Sequence, residues 1–117
     1  MSDYLPKHSP GQAITLAASA AVVGGRLVAV TGAGTVGPAG ADSPAVVGVA
    51  GFDAAAGETV TVYRGGVQRL TAAEAVAAGA AVSAGADGKV AASGSNRVGL
   101  ALTAASADGE TVEIALN

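Results

Sequence analysis

Short apolar runs, many of which alternate with polar residues, follow one another along the chain from Ile14 onward. The alternation is clearest in 59–63 and 110–114, where every second residue is apolar, as in a strand that buries one face. Glycine-rich and Asp-Gly turn signals separate the runs. The pattern predicts an all-β fold, a small compact barrel or sandwich. Its expected strands are 14–17, 26–31, 45–51, 59–64, 66–70, 80–84, 89–92, 97–103 and 111–116.

At most one short helix is expected, in the alanine-rich stretch 72–78. Alanine favours helix intrinsically, and Thr71 and Glu74 have the spacing of a capping box. Gly79 is placed to end such a helix. The corresponding stretch 17–23 contains Ser19 and two adjacent valines, which favour a loop or a short strand instead.

An internal repeat organises the chain. It predicts that 14–64 and 67–117 are two similar β units within one domain of residues 14–117. Neither unit could bury its valine face alone, so the two are expected to pack together or to close one barrel. A chance match within an Ala-, Gly- and Val-rich chain is the alternative, because the polar residues mostly do not match. The matching pairs are Val22 and Val76, Gly25 and Gly79, and Gly34 and Gly88 at an offset of 54, then 47–50 with 98–101, and 57–60 with 109–112.

The sequence of residues 1–13 predicts an extended N-terminal arm. Pro6 and Pro10 each fix one φ angle and bias the preceding residue toward extended backbone. Apolar residues do not recur at a regular spacing in the arm. Tyr4 and Leu5 nevertheless provide apolar side chains through which the arm could become ordered on a partner.

Composition narrows the functional classes. The chain contains 30 Ala and 16 Val among 117 residues, which predicts a thin core and a domain helped by oligomerisation. Its net charge is −3 and its six basic residues are scattered, so nucleic-acid binding is not expected. With no cysteine there is no disulfide or thiolate chemistry. No apolar run is long enough to span a membrane, and no secretion signal is readable.

The motifs with catalytic or cofactor potential have simpler interpretations. Residues 32–37 match the Gly-x-Gly-x-x-Gly fingerprint, but Pro38, Gly40 and Pro44 follow, so the helix that holds a pyrophosphate cannot begin. A β turn is expected there. The carboxylates fall at turns and on polar strand faces, and the single histidine, His8, lies in the arm. We therefore expect no enzyme activity, no cofactor and no metal site.

Arg64 and Arg69 stand in the densest polar cluster, where the two predicted units join. One interpretation is a hairpin with solvated arginines. The other is that these side chains form ion pairs across a subunit interface, where arginine is enriched.

A family resemblance rests on the order of short motifs over nearly the whole chain. The motifs are 4–7, 10–11, 13–16, 24–28, 35–40, 46–50, 52–57, 64–67 and 98–102. With these motifs in this order, the chain resembles the capsid decoration, or cement, proteins of tailed bacteriophages. The resemblance implies a compact β fold, attachment to the outside of the mature head, frequent trimers, and neither catalysis nor a cofactor.

Together these features predict a structural virion protein, made in the host cytoplasm, that binds the major capsid protein on the outer capsid surface as a homotrimer. Arg64 and Arg69 are expected at the subunit interface. The alternatives are another structural β module of a virion, such as a fibre or tail accessory, and a carbohydrate-binding module displayed on the capsid. Three aromatic residues in total weaken the carbohydrate alternative. The expected capsid contacts are the arm residues Tyr4, Leu5, Pro6, Lys7, His8 and Pro10.

Overall fold

The computed structural model describes residues 13–117, and the predicted contacts of the arm lie outside them. The predicted all-β fold is confirmed. Within this range no helix is long and apolar enough to cross a membrane. The ten strands are β1 (Ile14–Ala18), β2 (Leu27–Gly32), β3 (Thr35–Pro38), β4 (Val46–Ala50), β5 (Thr59–Tyr63), β6 (Val67–Thr71), β7 (Ala81–Ala84), β8 (Val90–Ala91), β9 (Arg97–Ala101) and β10 (Thr111–Leu116), with a 3₁₀ turn at Ala86–Gly88.

The first five strands form a closed barrel in the order β1-β3-β2-β4-β5. β1 closes it by pairing antiparallel with β5, where Ile14 lies opposite Val62, and parallel with β3. Because successive strand residues point to opposite faces, one residue in two fills the interior. The fully buried interior residues are Ala18, Val22, Val28, Val36, Ala50, Ala54, Val60 and Val62.

The last five strands form a sheet in the order β6-β10-β9-β7-β8. The repeat matches β6 through β10 to β1 through β5 in turn, so this is the order of strands around the barrel read in the opposite direction and opened between the counterparts of β1 and β3. Its two ends meet only at an isolated parallel bridge between Ala72 and Val90. That bridge occupies the place of the Ala18–Val36 pair, which joins β1 to β3 in the barrel.

Hydrogen bonds outside the strands also recur in both halves. The Val22 N–H donates to the Ala54 carbonyl at 2.9 Å, and the Val76 N–H donates to the Ala105 carbonyl at the same distance. Turn glycines adopt the same left-handed backbone, with φ of 82° at Gly25 and 84° at Gly79. These positions are related by the offsets of 54 and 51 read from the sequence.

The predicted helix at 72–78 is wrong. The Ala73 N–H donates to the Val90 carbonyl in β8 at 2.7 Å, and Val76 forms an isolated β-bridge with Ala105, so this backbone is bound to segments distant in sequence. The Glu74 carboxylate accepts from the Ala92 N–H and the Ser93 hydroxyl rather than capping a helix. Tertiary hydrogen bonds therefore override the helix propensity of alanine.

Strand β3 was not predicted, because Gly37 and Pro38 fill half of it. The expected turn at 32–34 is present, with φ of 73° at Gly34, and it connects β2 to β3. The second half of the glycine motif is thus part of strand β3, and residues 39–45, which follow the strand, are turn and loop rather than helix.

The two halves share a core. Leu27 and Val49 belong to the barrel strands, yet their side chains pack with the buried valines and Leu70 of the second half. Their neighbours Val28 and Ala50 point the other way, into the barrel. The outer face of β2 and β4 is therefore covered by the second sheet.

Candidate interaction surface

Both aromatic side chains in residues 13–117 lie on the barrel surface. Phe52 is 49% exposed and Tyr63 is 48% exposed, and the neighbouring Val23 is 47% exposed. The core is built mainly from alanine and valine, with Leu27, Leu70 and Ile114, and both aromatic side chains of this region stay outside it. We call Val23, Phe52 and Tyr63 the aromatic patch. Exposed aromatic residues of this kind are typical of interaction surfaces.

Two glycines bring the segments of the aromatic patch together. A Cβ atom on Gly24 would lie 2.9 Å from the Phe52 Cα, and the Gly24 N–H donates to Asp53 Oδ1 at 2.8 Å. A Cβ atom on Gly51 would lie 2.8 Å from the Tyr63 ring. The ring therefore rests directly on backbone, and a side chain at Gly51 would displace it.

A cavity of about 170 Å³ opens beside Val23. Arg26 and Asp87 contribute its polar lining, and the Arg26 guanidinium donates to the Asp87 backbone carbonyl at 3.4 Å. Its apolar lining consists of Val22, Val23, Leu27, Val28 and Pro38. Val23 belongs both to the cavity lining and to the aromatic patch.

The aromatic patch has no counterpart in the second half. The offsets of the repeat place Ala77, Thr103 and Ala115 at the positions of Val23, Phe52 and Tyr63. The Thr103 hydroxyl accepts a hydrogen bond from the Glu113 N–H at 3.0 Å, so this position has a structural partner. The two halves share strand order but differ in surface chemistry.

Arg64 and Arg69 are both exposed. Arg69 lies opposite Glu113 in the β6–β10 register. Among residues 13–117 the recorded ion pair is instead Lys89–Asp108, at 3.0 Å. The arginine contacts across a subunit interface stay a prediction.

Asp42 links the two halves of the fold through hydrogen bonds. Asp42, with φ of 53°, donates its N–H to the Ala84 carbonyl at 2.8 Å, and its carboxylate accepts the Asn96 N–H at 2.7 Å. The Asn96 side chain donates back to the Asp42 carbonyl at 2.9 Å. The backbone N–H of Asn96, followed by that of Ser95, lowers the pKa of Asp42.

Glu110 has a comparable local role. Its carboxylate accepts hydrogen bonds from the hydroxyl and the backbone N–H of Ser106, and these bonds lower its pKa. A second cleft, of about 370 Å³, is lined by Asp42, Glu74 and Ser93 among others, all of which have hydrogen-bond partners. In the described part of the chain no three His, Cys, Asp or Glu residues are grouped to hold a metal ion.

A family model described as phage cement protein matches residues 8–116, which include every strand of both halves. The chain belongs to the phage cement protein family. This cement protein is accordingly a structural component of a phage virion, and its family associates with the capsid. None of the curated proteins matches the chain.

The fold of this cement protein is also found in the N base of the head fibre protein gp8.5 of bacteriophage phi29. The TM-score is 0.72 at 21% sequence identity, and the match covers 91% of this chain and 93% of that one. At this identity the likeness shows the fold alone.

The sequence pattern predicts functional contacts in the arm and at the two arginines, but it does not indicate the aromatic patch. Three segments distant in sequence supply the patch, around Val23, Phe52 and Tyr63. One signal was available, since aligning the two halves places aromatic residues opposite Thr103 and Ala115.

Proposed function

We propose that this protein decorates and stabilises the mature phage head by binding the outer surface of the major capsid protein lattice. The observation that carries the proposal is the family match across residues 8–116, which spans both halves of the fold. This role is structural and uses no catalytic group or cofactor.

The N-terminal arm is the first proposed contact with the capsid protein. The 12 residues before Ala13 have an extended reach of about 40 Å, enough to cross onto a neighbouring protein. Their two prolines reduce the entropy that ordering costs. The proposed contact residues are Tyr4, Leu5, Pro6, Lys7, His8 and Pro10.

We infer that residues 14–117 are one domain made by duplication of a five-stranded unit. The recurring strand order, the bridge between Ala72 and Val90, and the paired turn glycines support this origin. The shared core around Leu27 and Val49 supports one folding unit rather than two.

A homotrimer is the proposed assembly, with Arg64 and Arg69 at its subunit interface. Both arginines are exposed and available for contacts between copies. A thin alanine and valine core gains from oligomerisation, because association stabilises the folded state by mass action. Three arms on one trimer would also raise the effective concentration of each capsid contact.

Stabilisation of the head follows from differential affinity. A protein that binds the expanded capsid lattice more tightly than the unexpanded one shifts the equilibrium toward the expanded state. The shift grows with the number of sites occupied, so many modest contacts suffice.

The test is deletion of residues 2–12 followed by co-sedimentation with expanded heads of the encoding phage that lack the protein. We expect the truncated protein to remain a folded oligomer by circular dichroism and light scattering, and to leave the heads unbound. Full binding by the truncated protein would refute the role of the arm.

The fold shared with the phi29 head fibre base favours a second function, that of a base for a further fibre segment. Immuno-electron microscopy of intact particles separates the two functions. Labelling over all head facets supports decoration, whereas labelling at protruding fibres or at the tail supports the alternative.

A further inference from the structure

We propose that the second sheet has two arrangements, and that the turn at residues 85–89, which we call the Gly88 turn, selects between them. In the structure the Gly88 turn is docked on the barrel, and the sheet is open between β6 and β8. In the other arrangement the turn leaves the barrel and bonds to β6, which closes the sheet into a second barrel. The inference goes beyond the proposed function, because it concerns a conformational change within the domain and involves no capsid.

The open sheet lacks one hydrogen bond that the first half has. The Ala72 N–H donates to β10 at 2.8 Å, and because successive strand residues bond to opposite sides, the Thr71 N–H points away from β10 and toward β8. Its barrel counterpart is Ala17, whose N–H donates to the Gly34 carbonyl at 3.2 Å. Within residues 13–117, the Thr71 N–H makes no such bond to Gly88, the counterpart of Gly34. The second sheet therefore keeps one of the two residue pairs that close the barrel and lacks the other.

The Gly88 turn is bonded to the first half instead. The Gly88 N–H donates to the Ala39 carbonyl at 2.8 Å. Gly88 is buried, and a Cβ atom there would lie 2.6 Å from the Leu27 carbonyl oxygen in β2. Gly34 is exposed, and a Cβ atom there would meet nothing within 4 Å. The same turn of the repeat thus closes its own unit in the first half and docks on the other unit in the second.

Docking holds a backbone conformation that the counterpart turn does not have. Asp87 has a left-handed backbone with φ of 58°, whereas its counterpart Ala33 is not among the non-glycine residues of the described range with positive φ. Such a conformation persists where the surroundings hold it, and the Arg26 guanidinium bonds to the Asp87 carbonyl. Release relaxes Asp87 and makes the carbonyl of the turn available to β6. Because the docked turn joins the two halves, closing the second sheet also loosens their contact.

The experiment measures amide hydrogen exchange by NMR in full-length Gly88→Ala and in the matched control Gly34→Ala. Both glycines have φ of 73°, so alanine brings the same backbone strain at either position, but only the Gly88 substitution meets the Leu27 carbonyl. In Gly88→Ala we expect the amide of residue 88 to lose protection and the Thr71 amide to exchange about 10-fold more slowly, because release gives it an acceptor. In Gly34→Ala the Thr71 amide should not gain protection. A general loss of stability speeds exchange, so slower exchange at Thr71 reports closure.

Each outcome decides the inference. A Thr71 amide that exchanges equally fast or faster once residue 88 has lost protection overturns the closed arrangement. An amide of residue 88 that stays protected, or slower Thr71 exchange in both variants, overturns the Gly88 turn as the element that holds the sheet open. If Gly88→Ala does not fold, Asp87→Val replaces it, because Asp87 is exposed and a β-branched residue disfavours a positive φ. The same results at residue 88 and at Thr71 then decide.

Discussion

Replacing Leu27 with alanine tests whether the two halves unfold as one unit. Leu27 is 0% exposed and extends from barrel strand β2 into the core shared with the second half. Losing the buried atoms of a leucine costs about 3 kcal/mol, the transfer free energy plus the cavity left behind. For a domain of this size, that loss lowers the Tm by about 12 °C. A loss of about 3 kcal/mol is a large fraction of the free energy of unfolding of a typical domain, which is about 5–15 kcal/mol.

The assay is thermal unfolding followed by far-ultraviolet circular dichroism, with hydrogen exchange resolved to each half. Val60→Ala is the control, because Val60 is buried in the interior of the barrel alone. We expect one transition in both variants, shifted downward, with faster exchange in both halves. Two separate transitions, or a second half whose exchange is unchanged by Leu27→Ala, would refute the shared core.

Two further predictions concern acid stability and backbone packing. The pKa values of Asp42 and Glu110 are lowered in the folded protein. The hydrogen bonds to these carboxylates therefore stabilise the fold fully when the pH is above the ordinary pKa of a carboxyl group, and this stabilisation is lost as the pH falls through the lowered pKa values. The free energy of unfolding in urea, measured from pH 7 to pH 2.5, should therefore fall more steeply with acid for the unmodified protein than for Asp42→Asn/Glu110→Gln. Parallel curves for the two proteins would contradict this prediction. A Cβ atom at Gly99 would lie 2.5 Å from the Ala115 carbonyl oxygen, so Gly99→Ala should cost about 1–3 kcal/mol in chemical denaturation. Gly40→Ala, which meets no atom within 4 Å, is its control, and an equal loss in both variants would show that close packing is not the cause.

Most strands were predictable because their signal is local. Alternation over Thr59–Tyr63 and the glycine turns mark strand positions without knowledge of their partners. Strand β3 and the region 72–78 were not predictable in the same way. Gly37 and Pro38 interrupt the apolar pattern of β3, and the conformation of 72–78 is decided by hydrogen bonds from Ala73 and Val76 to residues distant in sequence.

The aromatic patch depends on contacts between segments far apart in sequence. Gly24 reaches the backbone of Phe52, and Gly51 supports the ring of Tyr63. Neither contact has a periodic signature in the sequence. The sequence does show that the halves differ at these positions, but only the structure shows that the segments carrying these exposed side chains are neighbours.

By itself, the sequence determined the all-β class, most strand positions and the family, because alternation, turn glycines and motif order are properties of the chain read in one direction. Only the tertiary structure decided which outer face of the barrel is covered. Val49 and Tyr63 are paired neighbours on that face, yet Val49 is buried by the second half and Tyr63 is half exposed. The difference arises from where the second half docks against β2 and β4, and a local pattern of apolar residues does not encode that docking.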